Sequence, residues 1–118
     1  MSLYKQLTVW KKSMDLVSNI YKLNLPNHEQ YGLISQLRRC AVSIPSNIAE
    51  GNGRNSSKDF IRFLNMSRGS LFELQTQIEI TIRLRYITQK EYDEIINLTN
   101  EINAMINGLI DKLHLSNS

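Results

Sequence analysis

The stretch Tyr31-Gly-Leu-Ile-Ser-Gln-Leu-Arg-Arg-Cys-Ala-Val-Ser-Ile-Pro-Ser-Asn-Ile-Ala-Glu-Gly-Asn-Gly-Arg54 holds the features that decide how this chain folds. Its apolar residues recur at helical spacing as far as Glu50, although Pro45 stands in the interior, where a proline costs roughly 3 kcal/mol. We therefore predict a helix that is kinked at Pro45. We also expect Gly51 and Gly53 to end this helix with positive φ angles. Small residues around the proline indicate that a neighbouring element approaches closely; they are Ala41, Ser43, Ser46 and Ala49.

The apolar spacing predicts three further helices in the rest of the chain. The four helices span about residues 9–24, 31–50, 57–86 and 89–115. Thr8 and Ser56 stand where a hydroxyl group caps a first turn, and Thr88-Gln-Lys-Glu91 matches a capping box. Short connections make consecutive helices antiparallel neighbours. We predict an all-α fold in which residues 1–118 form a single domain, an antiparallel up-down-up-down left-handed four-helix bundle.

The predicted buried faces follow steps of three and four residues. The first helix is expected to bury a face formed by Trp10, Met14, Val17 and Tyr21 and widened by Leu16 and Ile20. The expected seams of the other helices are Leu33, Leu37, Cys40, Ile44 and Ile48; Phe60, Leu64, Ser67, Leu71, Leu74, Ile78 and Thr81; and Tyr92, Ile95, Thr99, Ile102, Ile106, Leu109 and Leu113. Helices three and four carry more apolar residues than one bundle buries, which predicts a homo-oligomer. These extra residues are Ile61, Phe63, Ile80, Ile82, Leu84, Ile96, Leu98, Met105 and Ile110.

Charge is distributed unevenly along the chain, with +6 over residues 1–70 and −3 over residues 71–118. A basic half favours an anionic partner, and lysine and arginine side chains suit the phosphates of RNA or DNA. Few aromatic residues accompany the charges, so we expect backbone contact with little sequence readout. The candidate nucleic-acid-binding residues are Lys11, Lys12, Lys22, Arg38, Arg39, Arg54, Lys58, Arg62 and Arg68. Alternatively, these charges balance across a solvated surface, or Arg38 or Arg39 pairs with Glu50 or with an acid of a neighbouring subunit.

Other kinds of site find little support. The single cysteine, Cys40, lies in an apolar setting and is interpreted as a buried structural residue in a reducing compartment. Neither His28 nor His114 follows a glutamate by three residues, so the di-iron pattern of helical bundles is absent. We expect no metal, no cofactor and no enzymatic activity. The loop over residues 51–57 is either a phosphate cradle at a helix N-terminus or, as we favour, a plain helix connection.

The chain has no apolar run of the roughly 20 residues that would span a bilayer, and its first residues lack a signal-peptide layout. These features predict a cytoplasmic protein without membrane contact.

Several motifs resemble a bacterial family of four-helix bundle proteins known as 23S rRNA intervening-sequence proteins, or ribosomal-protein-like. They are Leu7-Thr-Val-Trp10, Tyr31-Gly-Leu33, Ser35-Gln36, Arg38-Arg39, Ser43-Ile-Pro-Ser-Asn-Ile-Ala-Glu-Gly51, Gly53-Arg54, Phe60, Phe63-Leu64, Gly69-Ser70 and Glu73-Leu74. The resemblance runs from Leu3 to the end of helix four. It implies a ring-like homopentamer and supplies no catalytic residues. A related branch, the accessory variability determinant of diversity-generating retroelements, binds nucleic acid and a reverse transcriptase through a basic surface.

Together, the charge pattern and the resemblance predict a non-enzymatic oligomer that binds RNA, or structured RNA or DNA, with little sequence specificity. The alternative is a protein-interaction scaffold, or an accessory subunit of a nucleic-acid enzyme such as a reverse transcriptase, that does not bind nucleic acid itself.

Overall fold

Four α-helices account for most of the protein, as the all-α prediction requires. The structure is a computed structural model that describes residues 3–116. The helices are α1 (Thr8–Tyr21), α2 (Leu33–Asn52), α3 (Ser57–Arg83) and α4 (Gln89–Ser116). Short 3-10 turns at Leu3–Gln6 and Asn27–Glu29 precede α1 and α2. The bundle measures 48 × 22 × 21 Å, so it is a rod about twice as long as it is wide.

The helices follow the predicted up-down-up-down order. Both α1 and α3 pack against α2 and α4. Along α3, later residues contact earlier residues of α4: Arg68 donates to Asn107, and Gln75 donates to Thr99. These two helices are therefore antiparallel, and the α1–α2 and α3–α4 sides lie opposite each other across the bundle.

The core confirms most of the predicted seams. All seven seam residues of α3 are buried, and so are Leu37, Cys40, Ile44 and Ile48 of α2. In α4, Ile110 takes the last core position, whereas Leu109 is only half-buried. Phe63 is also buried in its own bundle, so α3 and α4 leave less apolar surface for other subunits than predicted.

The prediction for α1 is confirmed at Leu16 and Ile20, but the centre of the buried face is rotated by about one residue from the predicted one. Of the face expected in the core, Met14 is 41% exposed and Tyr21 is 46% exposed. The residues that α1 buries are Val9, Ser13, Leu16 and Ile20. Ser13 is tolerated in the core because its hydroxyl donates to the Val9 carbonyl at 2.7 Å, so its polar group is hydrogen-bonded. Met14 and Tyr21 therefore remain at the surface, while Trp10 and Val17 pack half-buried against the core.

Two of the three predicted helix caps form. Ser56 Oγ accepts from the Asp59 amide at 3.1 Å and begins α3. Thr88 and Glu91 form the complete capping box, each side chain accepting from the other residue's amide. The prediction for Thr8 is wrong because Thr8 is the first helical residue of α1 and no side chain caps that end.

Helix α2 packs closely on α3 at Ser43 and Gly51. Gly51 lies inside α2, where an added Cβ would sit 2.6 Å from Phe63 Cβ. Gly53 is the C-cap at which α2 ends, as predicted. No glycine in residues 3–116 has a positive φ, so the predicted left-handed conformation of Gly51 and Gly53 is wrong. Ser43 Oγ donates to Ser70 Oγ at 2.6 Å across the same interface. Helix α2 continues as one helix through Pro45.

Helix α3 ends at Arg83, three residues before the predicted boundary, because Arg85 adopts a left-handed conformation with φ of 62°. The Tyr86 amide donates to the Thr81 carbonyl and the Arg85 amide to the Ile82 carbonyl, both at 2.9 Å. This pair of bonds is the Schellman motif, which usually has glycine at the left-handed position.

We expect Arg85→Gly to raise the free energy of unfolding by about 1 kcal/mol, because the left-handed conformation costs a residue with a Cβ roughly that much. Arg83→Gly, two residues earlier in helical backbone, is the matched control and is expected to lower it by a similar amount. Urea unfolding at fixed protein concentration measures both. Equal effects at the two positions would show that Arg85 is not strained.

Candidate nucleic-acid interface

The structure disperses most of the predicted basic residues. Lys12 Nζ lies 3.2 Å from Glu101 Oε1 and ties α1 to α4. Lys22 lines a cleft between the same two helices together with Glu91 and Glu94. Lys11 is exposed on α1. The lysines of α1 therefore either stand alone or face acidic side chains of α4, which weakens their attraction for phosphate.

The twin arginines of α2 point in different directions. The Arg38 guanidinium lies 4.6 Å from the centre of the Tyr21 ring, on the α1–α2 side of the bundle. Arg39 is exposed and donates to Ser35 Oγ at 3.4 Å. Within the described chain, Glu50 pairs with Arg54 and neither twin arginine forms an ion pair. The predicted alternative of a pair with Glu50 is therefore wrong.

Arg68 has a structural role between α3 and α4. Its two terminal nitrogens donate to Asn107 and Asn65, each at 2.7 Å. Amide oxygens therefore engage both terminal nitrogens of the guanidinium, and the bond to Asn107 links α3 to α4.

Three of the predicted residues do come together at the α2–α3 connection, and we name Arg54, Lys58 and Arg62 the basic turn. The Arg54 and Arg62 guanidinium carbons lie 4.9 and 4.5 Å from the centre of the Phe63 ring. Phe63 is itself buried, so one fixed aromatic ring positions two cations. Lys58 is exposed in the first turn of α3.

Acidic residues hold the basic turn without neutralising it. Asp59 accepts from Arg62 Nε at 2.9 Å and lies 3.9 Å from Arg54 Nε. Arg54 also pairs with Glu50. Two carboxylates face three cations, and the Arg54 and Arg62 side chains remain 42% and 58% exposed. Each guanidinium has five N–H donors in a planar fork, so donors remain for a phosphate oxygen.

The connection over residues 51–57 does not form a phosphate cradle. Gly51 is part of α2, and the Arg54 amide donates to the Gly51 carbonyl at 3.1 Å. Ser56 Oγ occupies the Asp59 amide at the start of α3. These contacts support the favoured interpretation as a plain helix connection, and they place any anion contact on side chains.

Cys40 is a structural residue, as predicted. Its side chain is buried, and Sγ donates to the Ser70 carbonyl at 2.9 Å. Burial, with Glu73 nearby, raises the pKa of the Cys40 thiol to about 12. A nucleophile needs the thiolate form, which this environment suppresses.

Sequence patterns missed an apolar groove between α1 and α2. The groove, of about 310 Å³, is lined mainly by Trp10, Met14, Val17, Val42, Pro45 and Ala49. The apolar stripe of α1 could have indicated this groove, because Trp10, Met14 and Val17 belong to the face that the sequence predicts in the core. We name this surface the α1–α2 groove.

No cluster of three metal-ligating side chains (His, Cys, Asp or Glu) occurs in residues 3–116. Over the same span, every helix is too short or too polar to cross a bilayer.

Comparison with known proteins identifies a family and solved structures that this chain resembles. The family model of the 23S rRNA-intervening sequence protein matches residues 5–108. A crystal structure of a protein with unknown function from the S23 ribosomal protein family of Bacteroides thetaiotaomicron superposes with a TM-score of 0.80. The two chains are 31% identical over 87% of this chain and 98% of the other. No curated protein matches this chain.

Proposed function

Because the chain belongs to the 23S rRNA-intervening sequence protein family, we propose that it is a non-enzymatic, cytoplasmic oligomer that binds RNA or DNA through the phosphate backbone. The basic turn is the observation that carries this proposal. There, Arg54 and Arg62 are both positioned on Phe63 and both keep exposed donors. The contact offers positive charge and guanidinium forks, and the Phe63 ring beneath them is buried, so it favours phosphates over base edges.

Self-association is the second part of the proposal. The uncovered α1–α2 groove is an apolar surface that assembly would bury. The family resemblance implies five subunits. A ring would present several basic turns to one polyanion, so that weak contacts combine through avidity.

The test is fluorescence anisotropy with a labelled RNA hairpin and with a DNA duplex of the same length. Three phosphate contacts per subunit give a salt slope of about −2.7, so affinity falls roughly 40-fold between about 50 and 200 mM salt. Arg54→Gln with Arg62→Gln is expected to reduce the slope by about 2 per subunit and to weaken both ligands alike.

Arg83→Gln with Lys90→Gln is the control, since it removes two exposed charges near the far end of the bundle. In the same assay, Arg38→Glu with Arg39→Glu tests separately whether the twin arginines contact the nucleic acid. Absence of binding at low salt, or equal losses in the basic-turn and control variants, would contradict the proposal.

One observation favours the alternative function of a protein-interaction scaffold or accessory subunit. The α1–α2 groove is apolar and uncovered, as a protein-binding surface would be. In that case the protein would not bind nucleic acid alone, whereas substitutions in the groove would abolish its binding to the partner protein.

A further inference from the structure

The outer face of α3 leads from the basic turn to a second groove, which lies between α3 and α4. Arg62, Gly69 and Phe72 are exposed at helical spacing along this face. At a rise of 1.5 Å per residue, Phe72 lies about 15 Å along the helix axis from Arg62. The α3–α4 groove has a volume of about 470 Å³, and its lining includes Phe72, Gln75, Glu79, Tyr92 and Asn100.

Phe72 is an aromatic ring in a groove lined largely by polar groups. Half of its side chain is exposed to solvent. Most of the other lining residues carry amide, hydroxyl or carboxylate groups. A ring with polar groups beside it matches an unpaired nucleic-acid base, which has apolar faces for stacking and polar edges for hydrogen bonds.

The polar groups of the groove are held in place by one another. Gln75 Nε2 donates to Thr99 Oγ1 at 2.8 Å and to Asn100 Oδ1 at 2.9 Å. This bond fixes the Asn100 amide and leaves its NH2 group, with two donors, at an exposed position. Glu79 accepts from Arg83 Nε at 2.9 Å and from Tyr92 Oη at 2.8 Å. The groove therefore offers an uncharged moiety a better site than it offers a phosphate.

A positive charge stands between the basic turn and this groove. Arg68 precedes Phe72 by one helical turn and is half-buried. Its partners, Asn65 and Asn107, are neutral amides, and the ion pairs found in residues 3–116 do not include it. The Arg68 guanidinium thus keeps its charge, and three of its five N–H donors remain for a phosphate oxygen.

Gly69 leaves the helix surface low beside Phe72. No atom lies within 4 Å of the position that an added Cβ would take, so packing within the bundle does not require glycine there. Glycine in a helix interior lowers helix stability relative to alanine. Its use at an exposed helical position fits the close approach of a ligand to the backbone.

We infer that an unpaired segment of RNA or DNA lies along the outer face of α3, with phosphates at Arg62 and Arg68 and a base stacked on Phe72. This inference rests on the proposed nucleic-acid contact at the basic turn and specifies that the ligand is single-stranded there. Stacking on one ring accepts any base, because every base has a π-face. The contact therefore agrees with binding that has little sequence specificity.

The first test compares a labelled single-stranded RNA of mixed sequence with a blunt RNA duplex of the same length, by fluorescence anisotropy. Phe72→Ala is expected to weaken binding of the single strand roughly 10- to 100-fold, the usual effect of removing an aromatic ring that stacks on one base. Duplex affinity should stay as it is, because paired bases are not available to the ring. Phe72→Tyr keeps the ring and should bind both probes as the wild type does.

Tyr21→Ala is the matched control, since Tyr21 is an aromatic residue of similar exposure, 46%, on the opposite side of the bundle. It should leave both affinities unchanged. Arg68→Gln is expected to reduce the salt slope for the single strand by about 0.7 per subunit, whereas Arg68→Lys keeps the charge and the slope. Circular dichroism confirms that each variant is helical.

A second readout reports stacking directly. Trp10 is the single tryptophan of the chain, so Phe72→Trp in a Trp10→Phe background places one fluorophore in the α3–α4 groove. Its emission is expected to be quenched when the single-stranded RNA binds and to stay constant when the duplex binds. The native Trp10 emission of the wild-type protein should not respond to the single strand.

Two kinds of result overturn the inference and are distinguishable. If Phe72→Ala binds the single strand as the wild type does, or if the tryptophan at position 72 is not quenched, the strand does not stack on Phe72. The basic turn then still stands as the contact, provided that Arg54→Gln with Arg62→Gln weakens binding. If the wild-type protein binds neither probe at low salt, this inference and the proposed function both fail.

Discussion

Replacing Gly51 by alanine is expected to destabilise the bundle by about 2 kcal/mol, because the added methyl group overpacks the α2–α3 interface. The new Cβ would lie 2.6 Å from Phe63 Cβ and 2.9 Å from Phe60 Cδ1. Neither atom is the end of a flexible chain, and both phenylalanines are buried. The two helices must therefore separate, and the gain of about 1 kcal/mol in helix propensity offsets only part of the cost.

Gly69→Ala is the matched control because it makes the same chemical change in an exposed helical position. No atom lies within 4 Å of the position of its added Cβ. We expect it to stabilise the protein by up to about 1 kcal/mol. Chemical unfolding of both variants under identical conditions measures the difference. If the two substitutions shift stability in the same direction, the close approach at Gly51 has no energetic consequence.

Alkylation of Cys40 in the folded protein at pH 8 is expected to be at least about 1000-fold slower than that of an ordinary thiol. The reactive species is the thiolate, and a pKa of about 12 in place of 9.0 lowers its population by that factor. Stability should also depend on pH. Between pH 9 and 12 only the unfolded thiol loses its proton, so the free energy of unfolding falls as pH rises through this window.

An exposed thiol in the same fold provides the comparison. Met66→Cys in a Cys40→Ala background places the thiol on the outer side of α3, where the native methionine is 47% exposed and lies outside the α1–α2 groove. Iodoacetamide labelling followed by mass spectrometry gives both rates, and labelling in urea shows that Cys40 reacts once unfolded. Comparable rates in the folded state would contradict the burial of Cys40.

The fold was predictable because local signals agreed with one another. The capping box at Thr88–Glu91 and the cap at Ser56 placed two helix starts, and the seam of α3 was read correctly to its last member. Thr81 belongs to that seam although it is polar, because its hydroxyl donates to the Ile78 carbonyl at 2.6 Å. Ser13 in α1 is buried through the same kind of hydrogen bond, but the sequence did not predict its burial because a more apolar stripe lies beside it.

The candidate site was less predictable because its parts depend on geometry between helices. Arg54 and Arg62 are eight residues apart, and only the turn of α2 into α3 brings both to Phe63. On charge alone, Lys12 and Arg68 were as good candidates for phosphate contact as Arg54 and Arg62. In the structure, Glu101 and Asn107 of α4 engage them. Partners on another helix cannot be read from spacing within one helix.

The basic turn lies at one end of a 48 Å rod, so the proposed assembly would have a direction. Cyclic symmetry brings every copy of a given residue to the same height along the rotation axis. A ring joined through its sides would therefore gather all of its basic turns in one plane, while Glu91, Asp93 and Glu94 at the start of α4 would lie in another. Such a ring would have two unlike openings: one would carry the basic turns, and at the other these acids would stand beside the cations Arg83, Arg85 and Lys90.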